Sequence, residues 1–287
     1  MSSVESEESS ETGSTESNYS DTETSGLFSE SDEDLDSVDK FVTTSLSYQD
    51  RKISDDDMKD ICNRMKDDHT IKTVNFKHSQ FGEKGLTYLF DSICKSNLRT
   101  LDLEDTQFTD ENLDCLSGKL NRSTLKDLVL NNNKITDEGL KCLCVELKEN
   151  SKLRALSLSK NEISNGGAIL LSEVLRENST LKGITLNFNQ IADEGMWHLS
   201  EALKDNFVLK CLMLEDNEFT DKGVDHFIEA IRVNSTLSHM EIDNHHVTSS
   251  VHEKFYRARK DTDSRLKGKD EYLQLKNSRK IKSANKT

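Results

Sequence analysis

A unit of about 28 residues recurs in tandem between Thr124 and Ser235, and this repeat constrains the fold more than any other feature of the chain. The first copy reads TLKDLVLNNNKITDEGLKCLCVELKENS, and the next three align with it on their leucines without gaps. The four copies begin at Thr124, Lys152, Thr180 and Val208; looser and slightly shorter copies begin at Thr70 and Asn97, and a partial copy begins at Thr236. A single unit is too small to bury its own apolar side chains, so we expect the copies to stack and share one core.

The spacing of apolar residues changes partway through each unit. Leu128 and Leu130 alternate with other residues, which is typical of a β-strand with one buried face. Leu140, Leu143 and Leu147 then follow at intervals of three and four residues, which places them on one stripe of a helix. Each unit is therefore predicted to be a strand followed by a helix.

The same units carry the pattern L-x-x-L-x-L-x-x-N, which ends on Asn133, Asn161, Asn189 or Asn217. A pattern of this kind with a helical second half resembles leucine-rich repeats of the ribonuclease-inhibitor subclass. The resemblance implies an α/β fold: a leucine-rich-repeat solenoid shaped as a right-handed βα horseshoe, with a parallel concave sheet and helices on the convex side. It also implies that each asparagine points inward and hydrogen-bonds the backbone of its turns.

The outer units depart from this pattern. Ser79, Thr106 and His245 stand where the asparagine is expected, so the ladder of asparagines should be weaker at both ends. A glycine recurs in the first turn of each helix, where we expect the missing Cβ to permit close strand–helix approach. These glycines are Gly85, Gly139, Gly167, Gly195 and Gly223.

The repeats occupy residues 70–250, and two different segments precede them. Residues 1–50 are predicted to be a disordered acidic tail, because positions 1–40 contain 13 acids and 12 serines and have a net charge of −12. Residues 51–69 are predicted to form an N-terminal capping helix that begins after Ser54 and has an acidic first turn.

The segment after the repeats, residues 251–287, is predicted to be a C-terminal cap followed by a basic flexible tail. Val251, Phe255 and Tyr256 suggest a short helix that covers the last unit. Beyond about Lys260 the apolar periodicity is lost, and the chain from His252 onward has a net charge of +7.

The sequence indicates no catalytic or metal chemistry. It contains no P-loop, G-x-S-x-G, H-E-x-x-H or G-x-G-x-x-G motif, and its six cysteines lack C-x-x-C spacing. His245 and His246 are adjacent, so in a strand they would point to opposite faces rather than hold one ion. We predict a protein that is not an enzyme and that needs no cofactor, metal or small-molecule substrate.

The chain shows neither a signal peptide nor an apolar run of the length that a membrane-spanning helix needs. We therefore expect a soluble, reduced, intracellular protein without membrane insertion. Cytoplasmic residence is the first expectation, and the basic stretch Lys276–Lys282 leaves nuclear residence open.

Binding of a protein partner is the predicted function. The residues that alternate with the strand leucines line the concave side of such a solenoid, which is its usual docking surface; we call this the strand face. It is acidic at both ends and small and neutral in the middle, which favours a basic or mixed-charge protein and disfavours nucleic acid. The candidate partner-binding residues are Asp102, Glu104, Asp127, Val129, Asn131, Ser157, Thr185, Asn187, Met213, Glu215 and Glu241.

Narrower alternatives follow from families with similar repeats. Tropomodulins cap actin filaments with a short repeat array, and the segment NSTLSHMEIDN (Asn234–Asn244) is similar to their last repeats. RanGAP-type proteins use a longer array to stimulate GTP hydrolysis by a small GTPase. The NLR sensors also carry such repeats, behind a nucleotide-binding domain that this sequence lacks. An actin filament regulator and a GTPase activator are therefore kept as alternatives.

Overall fold

The computed structural model describes residues 44–284, except for the side chains of Glu83 and of residues 268–284. All of the described residues belong to one compact unit, Asp36–Thr287. The predicted disorder of residues 1–43 lies outside the described residues and stays a prediction.

Strands and helices alternate along the described chain. Their bounds are β1 Thr44–Ser47, α1 Asp55–Asp67, β2 Ile71–Asn75, α2 Glu83–Ile93, β3 Thr100–Asp102, α3 Asp110–Leu116, β4 Asp127–Val129, α4 Asp137–Glu149, β5 Ala155–Ser157, α5 Asn165–Glu177, β6 Gly183–Thr185, α6 Asp193–Asp205, β7 Cys211–Met213, α7 Asp221–Val233, β8 His239–Glu241 and α8 Ser249–Ala284. A short 3-10 helix, Leu120–Arg122, lies between α3 and β4.

The eight strands form one open parallel sheet in sequence order, with β1 and β8 at its two edges. The strand leucines are in register, so that Leu101, Leu128, Leu156, Ile184 and Leu212 are successive partners. The period of the repeat is therefore the step from one strand to the next. The predicted α/β solenoid is confirmed.

The apolar positions of each unit share one core. Leu128, Leu130, Leu140, Leu143 and Leu147 are all buried in the same cluster, which runs through every unit from β1 to α8. Full burial of one such side chain stabilises the fold by about 1.5–3 kcal/mol. Stacking thus supplies the burial that a single unit lacks.

The solenoid begins earlier than predicted, and the assignment of residues 44–50 to the tail is wrong. β1 pairs with β2, Leu46 is buried, and the Ser79 hydroxyl donates to the Tyr48 carbonyl at 2.6 Å. Leu46, Tyr48 and Ile53 have the spacing of the strand leucines and the following isoleucine in later units. β1 and α1 are therefore a further unit.

The predicted helix after Ser54 is confirmed as α1. The Ser54 hydroxyl accepts from the Asp57 amide at 3.1 Å, and the Asp57 carboxylate accepts from the Ser54 amide at 3.1 Å. This reciprocal pair satisfies two backbone donors that the start of a helix otherwise leaves unpaired. Met58 and Met65 of α1 are buried against the rest of the core.

The C-terminal helix α8 is longer than predicted. Phe255 is buried, and the Arg265 guanidinium donates to the carbonyl of Ile231 at 2.8 Å, in the last turn of α7. The helix then continues to Ala284, although a flexible segment was expected beyond about Lys260. Residues 260–284 have no proline and one glycine, and are rich in Lys, Arg and Leu. Such residues extend a helix whose first half is docked, because propagation needs no apolar stripe.

The predicted asparagine ladder is present after the strands. The Asn161 amide donates to the carbonyls of Leu130 and Leu158, both at 3.0 Å, and its oxygen accepts from the Ile135 amide at 3.1 Å. In the last unit Asn244 rather than His245 is buried, and it donates to the preceding turn.

A second asparagine ladder, which the sequence analysis missed, lies at the other end of the strands. Asn178 donates to the carbonyls of Leu147 and Asn150 at 2.6 and 2.9 Å. Its oxygen accepts from the amides of Thr180 and Leu181 at 2.8 and 2.7 Å. The members of this ladder are Asn150, Asn178, Asn206 and Asn234, all buried. The two ladders fix the turns that border the strand face.

The glycine in the first turn of each helix makes room mainly for the preceding helix and not, as predicted, for a strand. A Cβ at Gly167 would lie 2.6 Å from Asp137 Oδ1 and 2.6 Å from Ile163 Cγ2. Asp137 is the first residue of α4, and it accepts from the Ser164 amide at 2.8 Å, directly before α5. The first residue of one helix therefore caps the next helix, and glycine leaves room for it.

Candidate partner-binding face

The eleven candidate residues lie in three rows across the strand face. Six form a middle row of successive partners in the sheet: Asp102, Val129, Ser157, Thr185, Met213 and Glu241. Four come two residues after the last residue of a strand and form a strand-end row: Glu104, Asn131, Asn187 and Glu215. Asp127 is the first residue of β4. The sheet brings these residues together, and their role in binding stays a prediction.

The side chains in the middle of the strand face are almost fully buried. Thr185 is 0% exposed, Ser157 is 3% exposed and Met213 is 8% exposed. Neighbouring strands are only about 4.8 Å apart, so small side chains at these positions are shielded by those beside them. Partner contact in the middle of the face is therefore limited, whereas Asp102, Val129 and Glu241 are half-buried.

The strand-end row is linked by hydrogen bonds from unit to unit. Asn131 Oδ1 accepts from the Ser159 amide at 2.9 Å, and Ser159 Oγ accepts from the Asn187 amide at 3.2 Å. Asn187 continues the chain, because its Oδ1 accepts from the Glu215 amide at 3.0 Å and its Nδ2 donates to Glu215 Oε2 at 2.7 Å. This row is pre-organised by the fold.

The acidic candidate residues of the face lie on β3, β4 and β8 and just after β3 and β7. Glu104 pairs with Lys77 at 2.9 Å, and Glu241 pairs with Arg259 of α8 at 2.7 Å. Burial raises the pKa of the Asp102 carboxyl above its usual value, and burial also raises the pKa of Asp127. Carboxylates at these positions thus keep their charge at some energetic cost to the fold.

A row of cations that the sequence analysis missed borders the strand face where the strands begin. We call it the basic row; its members are Lys72, Arg99, Lys126, Arg154, Lys182 and Lys210. Each stands two residues before a strand leucine or its equivalent, so the row could have been recognised from the aligned repeats. The Lys126 and Arg154 charges act on the Asp127 carboxyl, lowering its pKa against the larger effect of burial.

The turns at the other edge of the face contain residues with a left-handed backbone. Lys160, Phe188 and Asp216 have φ of 57°, 56° and 47°. Glycine and asparagine adopt this region at low cost, whereas a large side chain does so at an energetic cost. Phe188 is nevertheless 41% exposed, and the Lys160 ammonium lies 5.5 Å from its ring centre.

The three buried thiols, Cys62, Cys144 and Cys211, are suppressed as nucleophiles. Burial raises the pKa of Cys144 and of Cys211 to about 12, and it raises the pKa of Cys62 as well. A thiol with such a pKa is protonated at neutral pH and reacts slowly. Among the described side chains of residues 44–267, no three His, Cys, Asp or Glu cluster so that they could hold a metal ion. None of the helices that the structure describes is long and apolar enough to cross a membrane.

Stacked strand–helix units with inward asparagines define a repeat solenoid, and the comparisons agree. A family model described as Leucine Rich repeat matches residues 94–117, 122–144, 149–172 and 177–196. The chain is a leucine-rich-repeat protein.

Comparison with curated proteins gives no match. Among solved structures, the Leiomodin-1 Actin-Binding Site 2 (ABS2) is similar, at 20% identity and a TM-score of 0.46, over 54% of this chain and 88% of that chain. With a TM-score below 0.5, this likeness carries no functional argument.

Proposed function

We propose that this chain is a non-enzymatic intracellular scaffold or adaptor that binds a protein partner on its strand face. The supporting observation is the division of the sheet into two sides. The leucines and the helices occupy one side, while polar and charged residues recur in register on the other.

The size of the strand face suits such a partner. Seven steps between strands make it about 34 Å long, and the residues from the basic row to the left-handed turns span about 20 Å. The resulting area of about 700 Å² is close to the roughly 800 Å² that each partner contributes to an ordinary protein interface. The strand-end row adds pre-organised hydrogen-bonding groups, which lowers the entropic cost of binding.

The proposed partner has mixed charge. The acids of the strand face favour cations, while the basic row favours anions along the edge where the strands begin. Protein therefore fits better than nucleic acid, whose backbone is uniformly anionic. We place this interaction in the cytoplasm, with the nucleus as a second compartment, and it needs neither a cofactor nor a small-molecule substrate.

Neutral substitutions of equal number on the two sides of the sheet test this proposal. The strand-face variant is D102N/E104Q/E215Q/E241Q, and the matched control on exposed helix positions is D205N/E149Q/E194Q/E229Q. Each full-length variant is expressed in cells beside wild type, and its bound proteins are quantified after affinity capture. Loss of a wild-type partner from the strand-face variant alone supports the proposal. Equal partner recovery with both variants, both folded by circular dichroism, contradicts it.

The two narrower alternatives are tested on the same preparations. Co-sedimentation with filamentous actin and pointed-end elongation rates test the actin regulator. Hydrolysis of GTP by Ran with stoichiometric protein tests the GTPase activator. Unchanged rates remove each alternative without affecting the general proposal.

A further inference from the structure

We infer that the basic row binds an extended acidic segment of a protein partner, laid across the starts of successive strands. This inference rests on the proposed function and specifies the chemistry of one edge of the strand face. It concerns Lys72, Arg99, Lys126, Arg154, Lys182 and Lys210, which the eleven candidate residues do not include.

The backbone holds the basic row at a fixed spacing. The carbonyl of Lys126 accepts from the amides of Arg154 and Ala155 at 2.7 and 3.0 Å. The carbonyl of Arg154 accepts in the same way from Lys182 and Gly183, also at 2.7 and 3.0 Å. Because this link repeats from unit to unit, the backbone positions of neighbouring row members are separated by the distance between strands, about 4.8 Å.

The cations of the row act on one another and on the Asp127 carboxyl beside them. The pKa of Lys72 is lowered, first by burial and then by the nearby Arg99 charge. Arg154 and Lys210 are exposed and the other members are half-buried, so solvent does not fully screen the row. An anionic segment that follows this edge is attracted by several of these cations at once, because their backbone positions recur at one register.

Complementing the helix dipoles does not account for the whole row. Cations near a helix C-terminus are favourable because the last carbonyls carry partial negative charge. The last turns of α4, α5 and α6, which precede Arg154, Lys182 and Lys210, already contain a basic residue for that role, whereas the last turns of α2 and α3 contain none. The basic row lies beyond those turns, directly before the strands or, for Lys72, at the second residue of β2.

A polypeptide fits the edge better than a nucleic acid does. The far edge of the same face bears Glu104, Asp105, Glu215 and Asp216, about 20 Å from the basic row. A polyanion wide enough to reach both edges would be repelled at the second. An extended acidic peptide is narrow enough to follow the basic row alone.

The length of the row predicts the length of the segment. Five steps of about 4.8 Å give about 24 Å, and an extended chain advances about 3.3 Å per residue. The row is thus covered by about seven or eight residues. Affinity should rise with peptide length up to that size and change little beyond it.

The test uses the full chain and fluorescein-labelled peptides of four, eight and twelve glutamates, with binding measured by fluorescence anisotropy. The variant is K126Q/R154Q/K182Q, and the control K134Q/K222Q/K260Q removes the same charge from exposed positions outside the row. We expect the eight-residue peptide to bind the wild type at least tenfold more tightly than it binds the variant. The control should stay within twofold of wild type, and the twelve-residue peptide should bind within twofold of the eight-residue one.

Three results overturn the inference: equal weakening in the control, affinity that keeps rising steeply from eight to twelve glutamates, or tighter binding of a twelve-nucleotide oligouridylate than of the peptide. If K126Q/R154Q/K182Q fails to fold, the single variant R154Q tests the inference instead, because Arg154 is exposed and its replacement should leave the fold intact. About threefold weaker peptide binding by R154Q supports the inference, and unchanged binding overturns it. If partner capture depends on the acidic strand-face residues while row variants leave peptide binding unchanged, the inference fails and the proposed function stands.

Discussion

Replacement of Asn189 by alanine should strongly destabilise the solenoid, because Asn189 lies in one of its inner units. Asn189 is 6% exposed, and its Nδ2 donates to the carbonyls of Leu158 and Leu186, both at 3.0 Å. Its Oδ1 accepts from the Ile163 amide at 3.1 Å. The Leu158 carbonyl also accepts from Asn161, and the Leu186 carbonyl also accepts from Asn217. Each carbonyl therefore keeps one asparagine donor when Asn189 is replaced by alanine.

The Ile163 amide, by contrast, has no other hydrogen bond among those the structure describes. One buried unpaired donor costs about 1–3 kcal/mol, and the weakened carbonyls add about 0.5–1 kcal/mol. We therefore expect a loss of about 3 kcal/mol in the free energy of unfolding. Aspartate should be worse than alanine, because it turns a buried carboxylate oxygen toward carbonyl oxygens.

Urea denaturation followed by circular dichroism measures this loss. The control is Asn97→Ala, which removes an exposed asparagine from a turn of the same protein. Should Asn189→Ala fall within about 0.5 kcal/mol of the control, the asparagine ladder does not hold the turns as described.

Three further predictions test other parts of the structure. Gly167→Ala should lower the free energy of unfolding by about 2–3 kcal/mol through overpacking, measured by the same urea denaturation. Gly82→Ala is the control: its Cβ would lie 3.4 Å from Asp55 Oδ1, so it should cost less than about 1 kcal/mol. Phe188→Asn should stabilise the fold by about 0.5–1 kcal/mol and so raise its melting temperature, because asparagine tolerates the left-handed backbone. A lower melting temperature would show that the contacts of the Phe188 ring stabilise the fold by more than its left-handed backbone costs. Because the folded-state pKa values of Asp102 and Asp127 are raised, these two carboxyls should contribute stability that grows as the pH falls from neutral through those values, and the difference in unfolding free energy between wild type and D102N/D127N should shift in favour of wild type over that range. A variant with the same acid dependence as wild type contradicts those shifts.

The repeated units could be predicted from the sequence because their signal is both local and periodic. Leucines two residues apart specify a strand, leucines three or four apart specify a helix, and the constant period sets the register. The same periodicity indicated the inward role of Asn161 through the family resemblance. These features depend on residue type and spacing alone.

Features that depend on a neighbouring unit were harder to predict. β1 was missed because Tyr48 stands in a leucine position and Arg51 in the asparagine position, so the unit lacks its usual residues. The burial of Thr185 follows from side chains on adjacent strands, which a single unit does not reveal. The residues of the basic row recur in the alignment, but only the backbone links between units bring their cations side by side.

Photo-crosslinking in cells tests recognition through the strand face most directly. A benzophenone amino acid replaces Val129, in the middle row, or Val145, which is 67% exposed on α4. We expect a discrete protein adduct from the Val129 position and none from the Val145 position. A discrete adduct from Val145, with none from Val129, would place the partner on the helices and contradict binding at the strand face.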